Sequence, residues 1–382
     1  GLISLATAFL NAQHKFSLPA YVPILNNLVV CGLLMMLPHL FGSTITLAEA
    51  SKNANLVFYL GVGTTLGIAL SALALVPALL KSGIALSFTP DWRHPAVRNV
   101  LRLSGWTVGY VMANQAALFL VSLIALHREG WLTAYQTAFT FFILPHGLLA
   151  MTMTTTFLPR ITQDATSGDM RSMVRHISHG IRLLILLMLP ASVGYMMIAR
   201  PLLVSLLNHG QFTLEAAHLT ADTLSFFAIG LLPFSLYLFL LRGFYALSDT
   251  KTPFQINVIE NILNIILALP LALMLGAKGL ALAYSLSYSG AVVLTFYRLS
   301  RRTGCAEGLR WNDLSLYISR ICISVAMMAT AVAITVISLS GYSSVWQVSA
   351  AVVVGGITYM GAVLSLKAIT IQDITSLMSR GR

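Results

Sequence analysis

The side chains best equipped for chemistry in this chain are Asn257, Glu260, Asn261 and Asn264. Spacings of 0, 3, 4 and 7 put all four on one face of a helix. The residues around them are Ile, Val and Leu, so the helix is suited to an apolar medium. A carboxylate inside such a helix is expensive unless it meets water or a partner. The chemistry this permits is reversible uptake of a proton or a cation. Three amides on the same face could solvate the carboxylate. One reading is that Glu260 faces a cavity and couples protonation or cation binding to a conformational cycle. The other places it near enough to a helix end to stay wet, or protonated and bonded to a neighbouring helix. Both stay open from the residues alone.

A second group of polar residues lies inside apolar stretches: Asn114 and Gln115 on one, Gln136, Thr137 and Thr140 on the next. Lining a cavity is the favoured role, with hydrogen bonding between helices as the alternative. His146 follows Pro145 within a span and could line the cavity or cap a kink. His176 and His179 have ligand-like spacing but lack cysteine or carboxylate companions at suitable spacing, so no metal site is expected. No P-loop, GxSxG or HExxH occurs, and the three cysteines Cys31, Cys305 and Cys322 form no disulfide framework. An enzyme is not indicated and no cofactor is implied. Without a nucleotide site, uphill transport would have to draw on an ion gradient or the membrane potential.

The elements that position these residues are membrane spans. Of the 382 residues 57% are hydrophobic and only 9% charged, against about 25% charged in a soluble domain. A span takes about 20 mostly apolar residues. Such stretches recur near 19–38, 55–80, 103–126, 131–158, 181–207, 219–246, 253–275, 279–297, 317–340 and 345–366, with a partial one at 1–10. The expectation is an all-α polytopic membrane protein of about ten complete transmembrane helices and one partial helix. With alternate loops assigned to the cytosol, 19 of the 23 Lys and Arg fall on that side and four, Lys52, Arg128, Arg200 and Lys278, on the other. This positive-inside asymmetry places the C-terminus in the cytosol and accounts for the +11 charge through anionic lipid, with no nucleic acid involved.

The chain also repeats itself. Ala12, Pro19 and Asn27 recur as Ala246, Pro253 and Asn261, each 234 residues later. In both copies a helix ends, a polar turn carries a lysine (Lys15, Lys251), and a new helix starts near the proline. Arg242, Asp249 and Lys251 are expected to pair locally at the second corner, so that Lys15, Pro19, Arg242, Asp249, Lys251 and Pro253 are hinge and loop candidates. Six spans separate the corners, so both should face the same side. The repeat is then parallel, and residues from Pro19 to 91 should superpose on 253–302. Two bundles around a central cavity follow, plus an extra C-terminal helix pair. The divisions are 1–91 for the remainder of an N-terminal bundle, 92–302 for a C-terminal bundle, and 303–382 for the extra pair and a cytosolic tail. Sliding the second copy back implies about three and a half helices, some 137 residues, ahead of Gly1. On that expectation this stretch alone has an open cavity wall and does not move lipid. Pro77, Pro190, Pro233 and Pro270 permit bends within spans.

Several blocks carry a family resemblance: FLNAQHKFSLPAYVPILNNLVV at 9–30, GWTVGYVMANQ at 105–115, LPHGLLAMTMTTTFLPRIT at 144–162, PASVGYMMIARPLLVSLLNHGQFT at 190–213, RGFYALSDTKTPFQINVIENI at 242–262 and LGAKGLALAYSLS at 275–287. In order and spacing they resemble the MurJ (MviN) family of lipid II flippases, within the multidrug/oligosaccharidyl-lipid/polysaccharide exporter group, and the LPHG and GWTVGY wording resembles its actinobacterial branch. The resemblance implies movement of lipid II, a polyprenyl diphosphate bearing a disaccharide-pentapeptide, from the inner to the outer leaflet of the cytoplasmic membrane by alternating access. Its implied partners are lipid II, membrane lipids and proteins of cell-wall synthesis or division. The family often carries an arginine five residues before the proline matching Pro145, where this chain has Thr140. Export of another lipid-linked glycan or amphiphile, and a non-transporting scaffold for cell-wall enzymes, are the alternatives.

Overall fold

The computed structural model describes residues 2–13, 17–42, 53–80, 95–210, 212–304 and 311–367. Among them every regular element is helical. The helices are α1 (Leu2–Ala12), α2 (Ser17–Phe41), α3 (Ala54–Leu80), α4 (Pro95–Ala125), α5 (Trp131–Pro145), α6 (Met151–Ser167) and α7 (Met170–Leu207). They continue with α8 (Leu214–Ile229), α9 (Leu231–Ala246), α10 (Lys251–Leu275), α11 (Ala277–Thr303), α12 (Trp311–Ser338) and α13 (Ser344–Ser365). Nine spans among the described residues are long and apolar enough to cross a bilayer, or ten with the bent pair α8–α9 taken as one. One of the nine runs unbroken from Trp131 to Ser167, because α5 and α6 are joined by the π-helical turn His146–Ala150.

The chain divides into two compact units, Gly1–Asp91 and Trp92–Arg382. In the first, α2 packs on α3, with Leu10, Val22 and Leu75 at the centre of a small core. Ser71 donates to the Val22 carbonyl at 3.3 Å and Tyr59 to that of Leu33 at 3.1 Å. In the second, a large core runs through α5, α7, α8, α9 and α11, with Phe142, Phe227, Tyr237, Phe239 and Phe244 fully enclosed. The last pair, α12 and α13, packs on α7 within this same unit.

Lipid supplies no hydrogen bonds, so each break in a helix needs partners from its neighbours. Pro145 lacks an N–H and frees the carbonyl four residues back, that of Phe141; Tyr195 donates to it at 3.1 Å. Pro190 frees the Leu186 carbonyl in the same way, and Tyr359 of α13 donates to it at 2.6 Å. Because of this, α7 continues through Pro190 without a break.

The stretch expected to be one span at 219–246 is bent by 48° between Ile229 and Leu231. The break lies at Gly230, not at Pro233, which sits harmlessly in the first turn of α9. A Cβ on Gly230 would stand 2.8 Å from the Cα of Ser285, so only glycine lets α11 approach this closely. The Ser285 hydroxyl then donates to the Phe226 carbonyl at 2.8 Å, and Ser192 donates to that of Ala228.

The internal copy is visible in the helix boundaries. α2 and α10 are both 25 residues long and are offset by 234 at each end, from 17 to 251 and from 41 to 275. α1 and α9 end at Ala12 and Ala246, at the same offset. α3 and α11 are both 27 residues long, with an offset of 223 that reflects the longer connection after α2. Even the packing repeats: a Cβ on Gly67 would lie 3.5 Å from Val29, and one on Gly290 would lie 3.3 Å from Leu263, the residue matching Val29.

Candidate functional site

The polar face of α10 is buried. Asn257 and Glu260 are 0% and 2% exposed, and Asn261 and Asn264 are almost as enclosed. Glu260 is nine residues into the helix, about 14 Å from its start at 1.5 Å per residue. This places the carboxylate well inside the span and away from the wet end that was the alternative reading.

The amides do not solvate it. Asn257 Nδ2 donates to Asn114 Oδ1 at 3.2 Å, and Asn261 Nδ2 to the same oxygen at 3.3 Å. Asn261 Nδ2 also reaches the Asn257 carbonyl at 2.9 Å, and Asn114 Nδ2 donates to the Tyr110 carbonyl at 3.1 Å. The Asn257 and Asn261 donors are therefore spent on a bridge between α4 and α10, and the expected cradle of three amides around the carboxylate does not form. Both carboxylate oxygens of Glu260, with Asn257 Oδ1 and Asn264 Oδ1, are buried without any hydrogen-bond partner. These oxygens are enclosed together with the Tyr237 hydroxyl, which is likewise buried without a partner.

Around Glu260, within electrostatic reach, stand Tyr110 of α4, Tyr135 of α5, Tyr237 of α9, and Tyr284 and Tyr288 of α11. Three of the rings touch in series, Tyr284 tilted against Tyr288 with centroids 4.6 Å apart and Tyr237 edge-on to Tyr288 at 5.3 Å. This shell was not anticipated. Its signal in sequence is the pair Tyr284 and Tyr288, four residues apart in an otherwise small-residue helix face. The repeat offset matches Glu260 to Asn26, whose Oδ1 is also buried without a partner. The first unit thus carries an uncharged acceptor where the second carries a carboxylate.

The remaining candidates are scattered. Gln115, Gln136 and Thr140 are exposed, Thr137 is half-buried, and Thr140 donates to its own helix at the Gln136 carbonyl, 3.0 Å away. The structure does not bring them to Asn114. His146 is buried on the π-turn, 3.0 Å from the Ser235 hydroxyl and edge-on to Phe234. His176 pairs with Asp164 at 2.6 Å, and no cluster of three potential metal ligands occurs among the described residues.

At the second corner the expected pairing of Arg242, Asp249 and Lys251 is absent. Asp249 instead caps α10, taking the Thr252 N–H at 2.9 Å and its hydroxyl at 2.7 Å. Lys251 lies over the Trp106 ring at 5.6 Å, and Arg242 is half-buried within reach of His146. Pro19 and Pro253 are both buried, each the third residue of its helix, where a missing N–H costs nothing. Lys15 lies outside the described residues. At the other end of the second unit, Asp222 takes Arg200 at 2.9 Å and Lys278 at 3.5 Å, drawing together two cations that the charge count had set on one side.

A bundle of apolar helices, one pair of them bent, enclosing a carboxylate and amides defines a multi-pass membrane protein. The solved structure titled "Lipid II flippase MurJ, inward closed conformation" shares the fold with a TM-score of 0.70 at 21% identity, over 94% of this chain and 70% of that one. A crystal structure of a MATE mutant shares it at 0.60 and 13% identity, over 79% of this chain and 66% of that one. A family profile described as "Lipid II flippase MurJ" matches residues 1–353, and the chain belongs to that family. Its curated relatives include probable lipid II flippases of Vibrio cholerae, 27% identical over 79% of this chain and 57% of that protein, and of Haemophilus influenzae, 27% identical over 79% and 59%. The relative from Thermotoga maritima is 28% identical over 75% of this chain and 54% of its own length. The chain therefore spans somewhat over half the length of these relatives. It is a multi-pass membrane protein of that family.

Proposed function

We propose that this protein moves lipid II from the inner to the outer leaflet by alternating access, with its C-terminus in the cytosol and Glu260 coupling the cycle to a proton or cation. Diphosphate and sugars cannot cross about 30 Å of hydrocarbon unaided, so the carrier must present polar groups at membrane depth. The observation that carries the reading is the buried polar face of α10, where Glu260 holds two oxygens that no donor reaches. A site of this kind favours whichever conformation lets a proton, cation or water enter, and differential binding to two states is what coupling requires. The bend at Gly230 and the π-turn after Pro145, with the nearby carbonyls held by neighbouring hydroxyls, supply irregular helices whose backbone is still satisfied. The charge asymmetry of the loops and the parity of six spans between the two corners support a parallel internal repeat.

The test is translocation in liposomes by the protein in its native full length. Lipid II placed in the inner leaflet should become accessible to an external probe faster than in protein-free vesicles. A lipid-linked glycan lacking the pentapeptide should move more slowly. Transport of both at one rate would favour a general exporter of lipid-linked glycans, and no transport of either would favour a scaffold.

A further inference from the structure

Two pockets meet where α9 turns into α10. One, of about 490 Å³, is bounded by Phe244, Tyr297, Arg298 and Arg301; the other, of about 290 Å³, by Trp106 and Lys251. Asp249 and Arg302 line both, so they form one concave region. Its single carboxylate is already engaged as the cap of α10. Its four cations make no ion pair among the described residues. Three of them are held instead by neutral groups: Arg298 donates to Gln255 at 2.9 Å, Arg301 lies 4.8 Å over the Tyr297 ring, and Lys251 lies over Trp106.

Ordinary helix chemistry covers part of this. Arg301 and Arg302 end α11, where cations offset the helix dipole. It does not cover Lys251, which begins α10 and adds its charge to the positive end of that dipole. Nor does it cover Arg298, which is half-buried a turn inside α11 and tethered facing the pocket. One turn before Tyr297, Val293 is 69% exposed, so an apolar track leads away from the cations along α11. Trp and Tyr flanking the cations are the residues that settle at a membrane–water interface.

We propose that this corner binds the phosphodiester headgroup of an acidic membrane phospholipid, with its acyl chain along the exposed face of α11. Guanidinium groups grip phosphate oxygens in pairs, and basic pockets between spans are suited to lipid headgroups. This is separate from the Glu260 site and does not depend on which substrate the protein carries.

Native mass spectrometry of the detergent-purified protein, with no lipid II present, reads the binding directly. Phosphatidylglycerol should remain bound where phosphatidylcholine does not. The variant Arg298→Gln/Arg301→Gln/Arg302→Gln should weaken phosphatidylglycerol binding by about five-fold per arginine. Replacing the same three by lysine should keep most of it, which guards against a misfolded variant. Removing charge elsewhere, with Arg171→Gln and Arg175→Gln on the exposed face of α7, should leave it intact. Equal losses in the α7 control, equal retention of phosphatidylcholine, or displacement by millimolar inorganic phosphate or diphosphate would each overturn the proposal. Lipid II flux is not part of the readout, so failure here leaves the transport reading standing.

Discussion

At the scale of single residues, Glu260 separates a transport site from a structural one. Glu260→Gln keeps the shape and removes the titration. If Glu260 couples, turnover should fall by about ten-fold or more and lose its dependence on pH, while lipid II binding changes little. Normal flux with an unchanged pH profile would remove the residue from the mechanism. The five tyrosines around it sharpen the test, because a phenylalanine at Tyr288 alters the shell without adding or removing a carboxylate. Asn114 poses a different question. It accepts from both Asn257 and Asn261, so Asn114→Ala leaves two buried amides without that acceptor. A loss on the order of 1–3 kcal/mol is expected, seen as a lower unfolding temperature in detergent. The polar stripe itself was legible from spacing alone. Where its amides point was not, because that is decided by Asn114, over 140 positions away in the chain.

At the scale of elements, what bends a helix matters less than what answers the carbonyls it frees. Prolines are easy to read, yet α7 passes straight through Pro190 because Tyr359 fills the gap, and the bend in the α8–α9 pair falls at a glycine. Sequence periodicity finds spans well, since it reports the lipid-facing surface. It does not reveal a break whose cause is the close approach of Ser285. Tyr359→Phe should destabilise the docking of α13 on α7 by about 1 kcal/mol, measured as easier proteolysis or a lower unfolding temperature. Gly230→Ala should be worse, since the added methyl meets the Ser285 backbone and not a flexible tip. A loss of about 1–3 kcal/mol is the usual cost of such overpacking. Unchanged stability in Gly230→Ala would mean that α11 is free to shift.

At the scale of the whole molecule, the duplicated helix boundaries are the deepest feature read from sequence, where three identities and one offset pointed to them, and the duplicated glycine contact is an addition of the structure. They carry a topological expectation. Single cysteines introduced at Ser17 and Thr250, in a background where Cys31, Cys305 and Cys322 are serine, should react with an impermeant thiol reagent from the same side of the membrane. Labelling from opposite sides would make the repeat inverted and refute the parallel bundles.

The most direct test of the central claim is the amount of lipid II in the outer leaflet of cells from which this protein is depleted. Outer-leaflet lipid II should fall while total lipid II is kept or rises, and re-expression should restore it. An unchanged outer-leaflet fraction, in cells with no other lipid II carrier, would contradict the account.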